Sequence, residues 1–564
     1  MKHQWIVPNA NGALRPGDSA SKRPGLRSRR IFLKTSAATT LLWTLQGAPP
    51  GAGAAGSGSS RYPPVIVIGS GLGGLCSAAY LARHGYPVTL FEQQSQPGGY
   101  ATSFARAEGK YNFEISLHGV ATRNNALARA LRELGILDKI ELVELSEVLR
   151  LKTPQLEITI PQRRPDNYIR VLTHHFPTEQ KGIKKFINEL VGIAAEADKL
   201  HRKGSYSRLL FGLQYPKMNA ARKKNLREFL SKYVRHPALR NILAAFQDFH
   251  GLPPSRVSAL YYGVVVGECL QNGTYYVKNR SQFLSRLLVR TIEKAGGGVR
   301  MNQPVKRILV SRNRVTGVEL KSGMVAPARV VVSNVNPPTT FNRLLSTAAL
   351  SRAFRRQLSE LTPSLSTFIV WLGLNREIRG ALPACGYYVI SSGGPESEYR
   401  ACLRGDIEHI PYRVSLFDNM HPDYSRPGTS TLKIFCLSGF EPWRRFAADY
   451  LAGRKESYYQ QKKRWTDTLI KRVEHDLFPR LTSLIEITEA ASPLTNRRLT
   501  ANTGGAVYGF EQSMLHAYID RIDHRTPLKG LYLAGAWTAP GGGFLGAIMS
   551  GRMAYRKILA DKLS

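Results

Sequence analysis

Acidic residues are scarce in this chain. Only 40 Asp and Glu stand against 79 Lys and Arg, a formal charge of +39 over 564 residues. Residues 1–60 hold eight Lys/Arg and one Asp and so contribute +7, which leaves +32 for the rest. Such a field favours anionic partners (phosphates, nucleic acid, anionic lipid surfaces) or is simply a generally basic surface. No nucleic-acid-binding module accompanies it, so nucleic acid is not expected as a partner. Cysteine is scarce too. Cys76, Cys269, Cys385, Cys402 and Cys436 form no C-x-x-C and no cluster with metal-ligand spacing. That argues against zinc and dithiol chemistry, and no metal site is expected. The odd number leaves at least one thiol free in a monomer. There is no Ser/His/Asp hydrolase constellation and no internal repeat. Past residue 60 no run of 18 apolar residues occurs, where a bilayer-spanning helix needs about 20. G-x-G-x-x-G follows a strand-like run once, not twice, so a separate nicotinamide domain is not expected.

What is present begins at Val65-Ile66-Val67-Ile68, an apolar β-branched run that leads directly into Gly69-Ser70-Gly71-Leu72-Gly73-Gly74. A helix-like segment with Ala78, Ala79, Leu81 and Ala82 follows, then a second apolar run, Pro87 to Phe91, ending in Glu92. Strand, tight turn, helix, strand and acid is the order that binds the ADP half of a dinucleotide. Gly69 permits the turn, Gly71 lets the backbone approach a pyrophosphate, and Gly74 lets the helix pack close to the sheet. The pyrophosphate would sit on free N–H groups at the helix N-terminus. Glu92 would accept hydrogen bonds from the adenosine ribose.

Past Glu92 and Gln93 comes Pro97-Gly98-Gly99-Tyr100-Ala101, and near the C-terminus Gly530-Leu531-Tyr532-Leu533-Ala534-Gly535-Ala536-Trp537 precedes a glycine-rich turn and a segment with Gly546 and Ala547. On these two motifs the chain resembles the phytoene desaturase-like flavoproteins, which include carotenoid desaturases, carotenoid isomerases and retinol saturases, with amine oxidases as more distant members. The resemblance covers most of the chain beyond residue 60. It implies FAD as cofactor, with Gly69 to Gly74, Glu92, Gln93, Gly98, Gly99, Tyr100, Ala101, Gly535, Trp537, Gly546 and Ala547 around it. It also implies a returning segment, residues 296–334, whose Val305 touches the adenine. No acid stands beside Trp537, so backbone groups would hold the ribityl chain.

The implied fold is α/β: a Rossmann-like, glutathione reductase-like FAD domain from 61–150, 280–345 and 500–564, with a discontinuous α+β substrate domain from 151–279 and 346–499. Residues 178–250 read as helical, and Thr367–Leu374 and Ser430–Leu437 as strands of a sheet roofing the flavin. The implied activity is desaturation, saturation or cis–trans isomerisation of an apolar isoprenoid or polyene. Electrons would leave to oxygen, a quinone or another soluble acceptor, or return to the substrate in an isomerase. A flavin amine or amino-acid oxidase is the alternative within enzymes; a flavin-bearing carrier without turnover is the alternative outside them. His118, in the Tyr111–Gly119 loop that the family places beside the flavin ring, is the candidate catalytic residue, able to shuttle a proton or stabilise reduced flavin; a histidine bonded to backbone is the plain alternative.

Two further expectations concern location. Ser28-Arg29-Arg30-Ile31-Phe32-Leu33-Lys34, an apolar stretch at about 37–45 and Ala52-Gly53-Ala54 follow the order of a twin-arginine export signal, predicting the twin-arginine machinery as partner, cleavage near Ala54 and a periplasmic product. Residues 217–240 carry eight Lys/Arg and one Glu, with Leu226, Phe229, Leu230 and Tyr233 at helical spacing. This predicts an amphipathic helix that lies on an anionic membrane or packs its apolar face into the substrate domain.

Overall fold

The apolar runs at 65–68, 88–91, 330–333 and 531–533 become neighbouring strands of one parallel sheet. A computed structural model describes residues 61–562 apart from 123, 205, 346–349 and 383–385. The export motif, the apolar stretch and the cleavage sequence lie outside the described residues, as does Cys385. Strand order in the first sheet is Leu531–Leu533, Val330–Ser333, Val65–Ile68, Val88–Phe91 and Gly298–Arg300, parallel throughout. Alternate side chains enter different cores. Val65, Val67, Leu90 and Val332 pack with the helices Leu72–Arg83 and Gly543–Ala560. Ile66, Ile68, Phe91 and Val331 pack with Ile308 and Val318 of a three-stranded antiparallel sheet on the other face. A parallel sheet buried on both faces needs this unbroken apolar sequence.

The second sheet has seven strands in the order Ile485–Ala491, Ser366–Leu374, Ser430–Ser438, Tyr412–Leu416, Gly386–Val389, Leu149–Lys152 and Glu157–Ile160. Its neighbours are antiparallel except for Gly386–Val389 beside Leu149–Lys152. Ser366–Leu374 and Ser430–Ser438 are both buried along their whole length. Helices cover this sheet, Phe368 stacking on Trp443 and meeting Trp465. The helix Gln180–Lys203 buries Ile183, Phe186, Ile187, Leu190, Ile193 and Ala197 along one stripe, the spacing of an amphipathic helix.

The single amphipathic helix expected over 217–240 does not form. The segment holds three short helices, Pro216–Arg222, Leu226–Leu230 and Pro237–Leu243. Asn225 and Glu228 make a capping box that starts the second. Pro237 starts the third and disfavours helical geometry in the residue before it. Leu226, Phe229 and Leu230 point into the core, at most 2% exposed. Among the described residues no helix is long and apolar enough to cross a membrane, and no group of three or more His, Cys, Asp and Glu is placed to hold a metal.

Candidate FAD and substrate site

The site grows from the turn after the first strand. Gly69 takes φ +92°, a left-handed geometry that favours glycine; its N–H donates to Phe91 O at 2.8 Å. The next residues start the helix Leu72–Arg83, whose first turn has no acidic residue and no side-chain cap. Close approach explains the other glycines. A Cβ on Gly73 would lie 2.5 Å from Gly535 Cα, and one on Gly74 would lie 2.1 Å from Gly69 O. The N–H of Gly98 donates to Ser70 O at 2.9 Å, setting the Gly98-Gly99 turn beside the first turn.

Glu92 is locked at the rim of this cradle. One carboxylate oxygen accepts from the Ser70 N–H and hydroxyl, both at 2.7 Å, and the other accepts from Gln94 N–H at 2.8 Å. The oxygen facing Gln94 retains lone-pair capacity for a ribose hydroxyl. The helix Gly543–Ala560 begins against the same space, again with no acid in its first turn. Gly535, at φ +101°, donates its N–H to Ser550 Oγ of that helix at 2.8 Å.

A cavity of about 710 Å³ joins these parts, within the usual range for small-molecule sites. Gly69, Gly71, Leu72 and Gly73 wall it at the helix start, Glu92, Gln93 and Val305 at one end, and Gly98, Gly99, Tyr100 and Ala101 along the side. Gly535, Trp537, Ala547 and His118 complete the predicted lining. Ser70, Gly74 and Gly546 stand outside that lining and support it: Ser70 holds Glu92, Gly74 closes the helix against the turn, and a Cβ on Gly546 would lie 2.4 Å from Gly541 O. A second hollow, about 590 Å³, lies at the opposite ends of the strands by Pro64, Pro87 and Gly297. Ligands of open α/β sheets bind at the carboxyl ends of the strands, where the first cavity is.

The residues fit FAD. Two helix starts with no acid in the first turn and no side-chain cap from their own N-cap residue, and a glycine cradle that side chains would fill, suit a pyrophosphate, with Glu92 for the ribose and Val305 for the adenine. Tyr100, Gly535, Trp537 and Ala547 are left for the flavin half. Sequence reasoning missed Asn334. It follows the strand Val330–Ser333, its Oδ1 accepts from Gly74 N–H at 3.0 Å, and its side chain abuts Gly69, Gly71 and Gly535. Its signal was a lone polar residue at the carboxyl end of an apolar strand.

These features identify the family. The profile of flavin containing amine oxidoreductase matches residues 72–440 and 460–559. The chain belongs to that family. It is an FAD-dependent oxidoreductase. Its curated relatives include prolycopene isomerase of Daucus carota, 25% identical over 527 residues covering 90% of this chain and 81% of that one. The all-trans-retinol 13,14-reductase of Rattus norvegicus is 26% identical over 547 residues, covering 89% and 87%. Among solved structures, putrescine oxidase bound to putrescine has a TM-score of 0.59 at 15% identity, covering 88% of this chain and 99% of that one. An oxidoreductase from Methanosarcina mazei has 0.57 at 16%, covering 88% and 100%. The Rossmann-like FAD fold is thereby shown.

Beyond the flavin region the enzyme presents His118, Ile115, Phe104, Thr367, Ile369, Phe435 and Tyr508 to the cavity. His118 Nδ1 lies 3.2 Å from Ser415 Oγ, so its partner is a side chain on the second sheet, not backbone. Burial, then the cations Lys433 and Arg413, hold its pKa well below the usual imidazole value. It is therefore neutral at physiological pH and suited to accept a proton or orient a group, not to carry a resident positive charge.

Proposed function

We propose that the enzyme desaturates, saturates or isomerises an apolar isoprenoid or polyene. FAD, when bound, supplies hydride exchange with a carbon–hydrogen bond. The chain excludes water with Phe104, Ile115, Ile369 and Phe435, and holds neutral His118 beside the reacting region. One observation carries the reading. Among the described residues lining the cavity Glu92 is the only carboxylate, and it belongs to the ribose end. A protonated amine would meet no carboxylate in the cavity wall under the second sheet, where the buried Asp248 is already paired with Arg413 and Lys433 adds a second buried cation. The names of the two curated relatives, a carotenoid isomerase and a retinol reductase, agree with this reading.

The test is anaerobic spectroscopy of the purified holoenzyme with a panel of carotenoids, retinoids and amines. Bleaching of the flavin by a polyene, recolouring of reduced flavin by one, or isomer conversion on chromatography is expected. Bleaching by amines alone would favour the oxidase alternative. A flavin that no candidate reduces or reoxidises would favour a carrier.

The enzyme is proposed to leave the cytoplasm folded, through the twin-arginine pathway, and to act in the periplasm. The support is the order of motif, apolar stretch and cleavage sequence in residues 28–54. N-terminal sequencing of exported protein should begin just after Ala54. A peripheral contact with anionic membrane is also proposed, on the exposed cations of 217–240 together with neighbouring Leu209 and Leu213, whose apolar side chains stand in solvent.

A further inference from the structure

The face of the second sheet that meets the cavity changes character along its width. Thr367 and Ile369 of one strand and Phe435 of the next line the cavity. Residues opposite one another on antiparallel strands share a face, and each strand repeats that face every second residue. Ile369 pairs with Phe435, Phe435 with Arg413, and Arg413 with Tyr388. Two residues along, Lys433 pairs with Ser415. The cavity-side face therefore runs from Ile369 and Phe435 into Arg413, Ser415, Lys433 and Tyr388. None of these four is more than 3% exposed.

The polar row lies directly behind the cavity wall and touches it through two lining residues. His118 lines the cavity and meets Ser415. Tyr508 lines it as well, and its hydroxyl donates to the main-chain carbonyl of Asp248. The Asp248 carboxylate accepts from Arg413 Nε at 2.5 Å. Yet the row is left half satisfied. His118 Nε2, Arg413 Nη2, Asp248 Oδ1 and the Tyr388 hydroxyl are all buried without a hydrogen-bond partner. Both amide atoms of neighbouring Gln247 are in the same condition. Each such group is costly to bury if it stays unpaired. A pure hydrocarbon guest would leave every one of them so. Burial, opposed by Glu114 and reinforced by Arg413, pulls the Lys433 ammonium down to about 7, which adds a donor of adjustable charge to the row.

We propose that this row is a recognition subsite for an oxygen-bearing end group, a hydroxyl or a carboxylate, on an otherwise apolar polyene, held by Arg413, Asp248 and His118. The inference rests on the polyene reading and narrows it: the substrate is amphipathic, with its polar end beneath the second sheet.

Equilibrium binding to the oxidised holoenzyme, read from the perturbation of the flavin spectrum, tests it without turnover. The probes are all-trans-retinol, all-trans-retinoic acid and the deoxy hydrocarbon that carries a methyl in place of the hydroxymethyl group. At least one oxygenated probe should bind roughly tenfold tighter or more than the hydrocarbon, as expected when buried polar groups gain or lose a partner. Preference for the acid assigns recognition to the Arg413 charge, and preference for the alcohol assigns it to hydrogen bonding with Asp248; either supports the subsite. The double variant Asp248→Asn/Arg413→Gln removes the ion pair without stranding one charge. It should reduce the preference to within about threefold, with hydrocarbon affinity little changed. If that variant does not retain flavin, the wild-type comparison alone decides. Equal binding of all three probes overturns the subsite and leaves the polyene reading standing. Binding of none overturns the subsite, and overturns the polyene reading as well only if the carotenoids of the spectroscopic panel also leave the flavin unchanged.

Discussion

Asn334 is the residue at which the two ends of the FAD site meet. It receives the Gly74 N–H and lies against Gly71 and Gly535. Asn334→Ala strands a helix N–H and opens a gap beside the phosphate cradle. The expected cost is about 1–3 kcal/mol, roughly a 5- to 150-fold loss of FAD affinity, read as flavin retained after dialysis. Unchanged retention would remove Asn334 from the site. A second prediction concerns His250, fully buried, whose pKa burial pulls down to about 3. As pH falls below about 6.5 the unfolded chain takes up a proton that the folded one refuses, so stability is lost on acidification by about 1.4 kcal/mol per pH unit until pH nears 3. His250→Phe removes this term. Its stability deficit against wild type, whatever its size at pH 8, should shrink steadily from pH 6.5 to pH 4 in chemical denaturation. A constant deficit would contradict the assignment. The glycines and Glu92 were legible because each answers a backbone demand with fixed spacing. Asn334, Arg413 and Lys433 were not, because their roles depend on strand register between distant segments, and register is invisible until the strands pair. Lys433 left one trace, a lone charge inside the apolar run Leu432 to Leu437.

Among the elements, the strand–turn–helix at 65–83 and the strand and helix at 531–560 were readable from apolar runs with punctuating glycines. Their packing was not. The helix Gly543–Ala560 crosses Leu72–Arg83 so closely that a Cβ on Gly551 would lie 2.4 Å from Gly73 O and 2.8 Å from Cys76 Cβ. Gly551→Ala should therefore overpack the crossing at a cost of about 1–3 kcal/mol. Because Gly73 belongs to the cradle, FAD retention should fall together with the melting temperature. A drop in melting temperature with unaltered flavin content would mean that the crossing serves stability alone. The segment 217–240 shows the opposite failure. Its 3.6-residue spacing was real, and it did mark a buried face, but periodicity does not register the breaks that Pro237 and the Asn225 capping box impose. The basic residues stay outside while Leu226, Phe229 and Leu230 turn inward.

At the scale of the whole molecule, the charge and the exposed leucines must be weighed together. Leu209 is 91% and Leu213 83% exposed; Lys203 and Arg208, close by in sequence, are exposed as well, as are Lys223 and Arg227 further along, the latter paired with Glu396. Lys199 reaches Gln214 O at 3.5 Å and the Arg222 guanidinium lies 5.5 Å from the Phe211 ring, so further cations border the leucines. Two leucines entering the interface contribute about 1.5–3 kcal/mol each at full burial. Each cation near an anionic surface adds about 1 kcal/mol. The leucine contribution survives salt, whereas the ionic one is screened beyond roughly 8 Å at physiological ionic strength. Wild-type holoenzyme should therefore float with vesicles of anionic phospholipid, weakly with neutral ones, and lose most of its binding between low and high salt. Leu209→Ser/Leu213→Ser should weaken flotation at every salt concentration. Lys223→Glu/Arg227→Glu should weaken it mainly at low salt. If neither variant floats differently from wild type, the exposed leucines and their ring of cations do not face a membrane, and the +39 charge is a property of the surface alone.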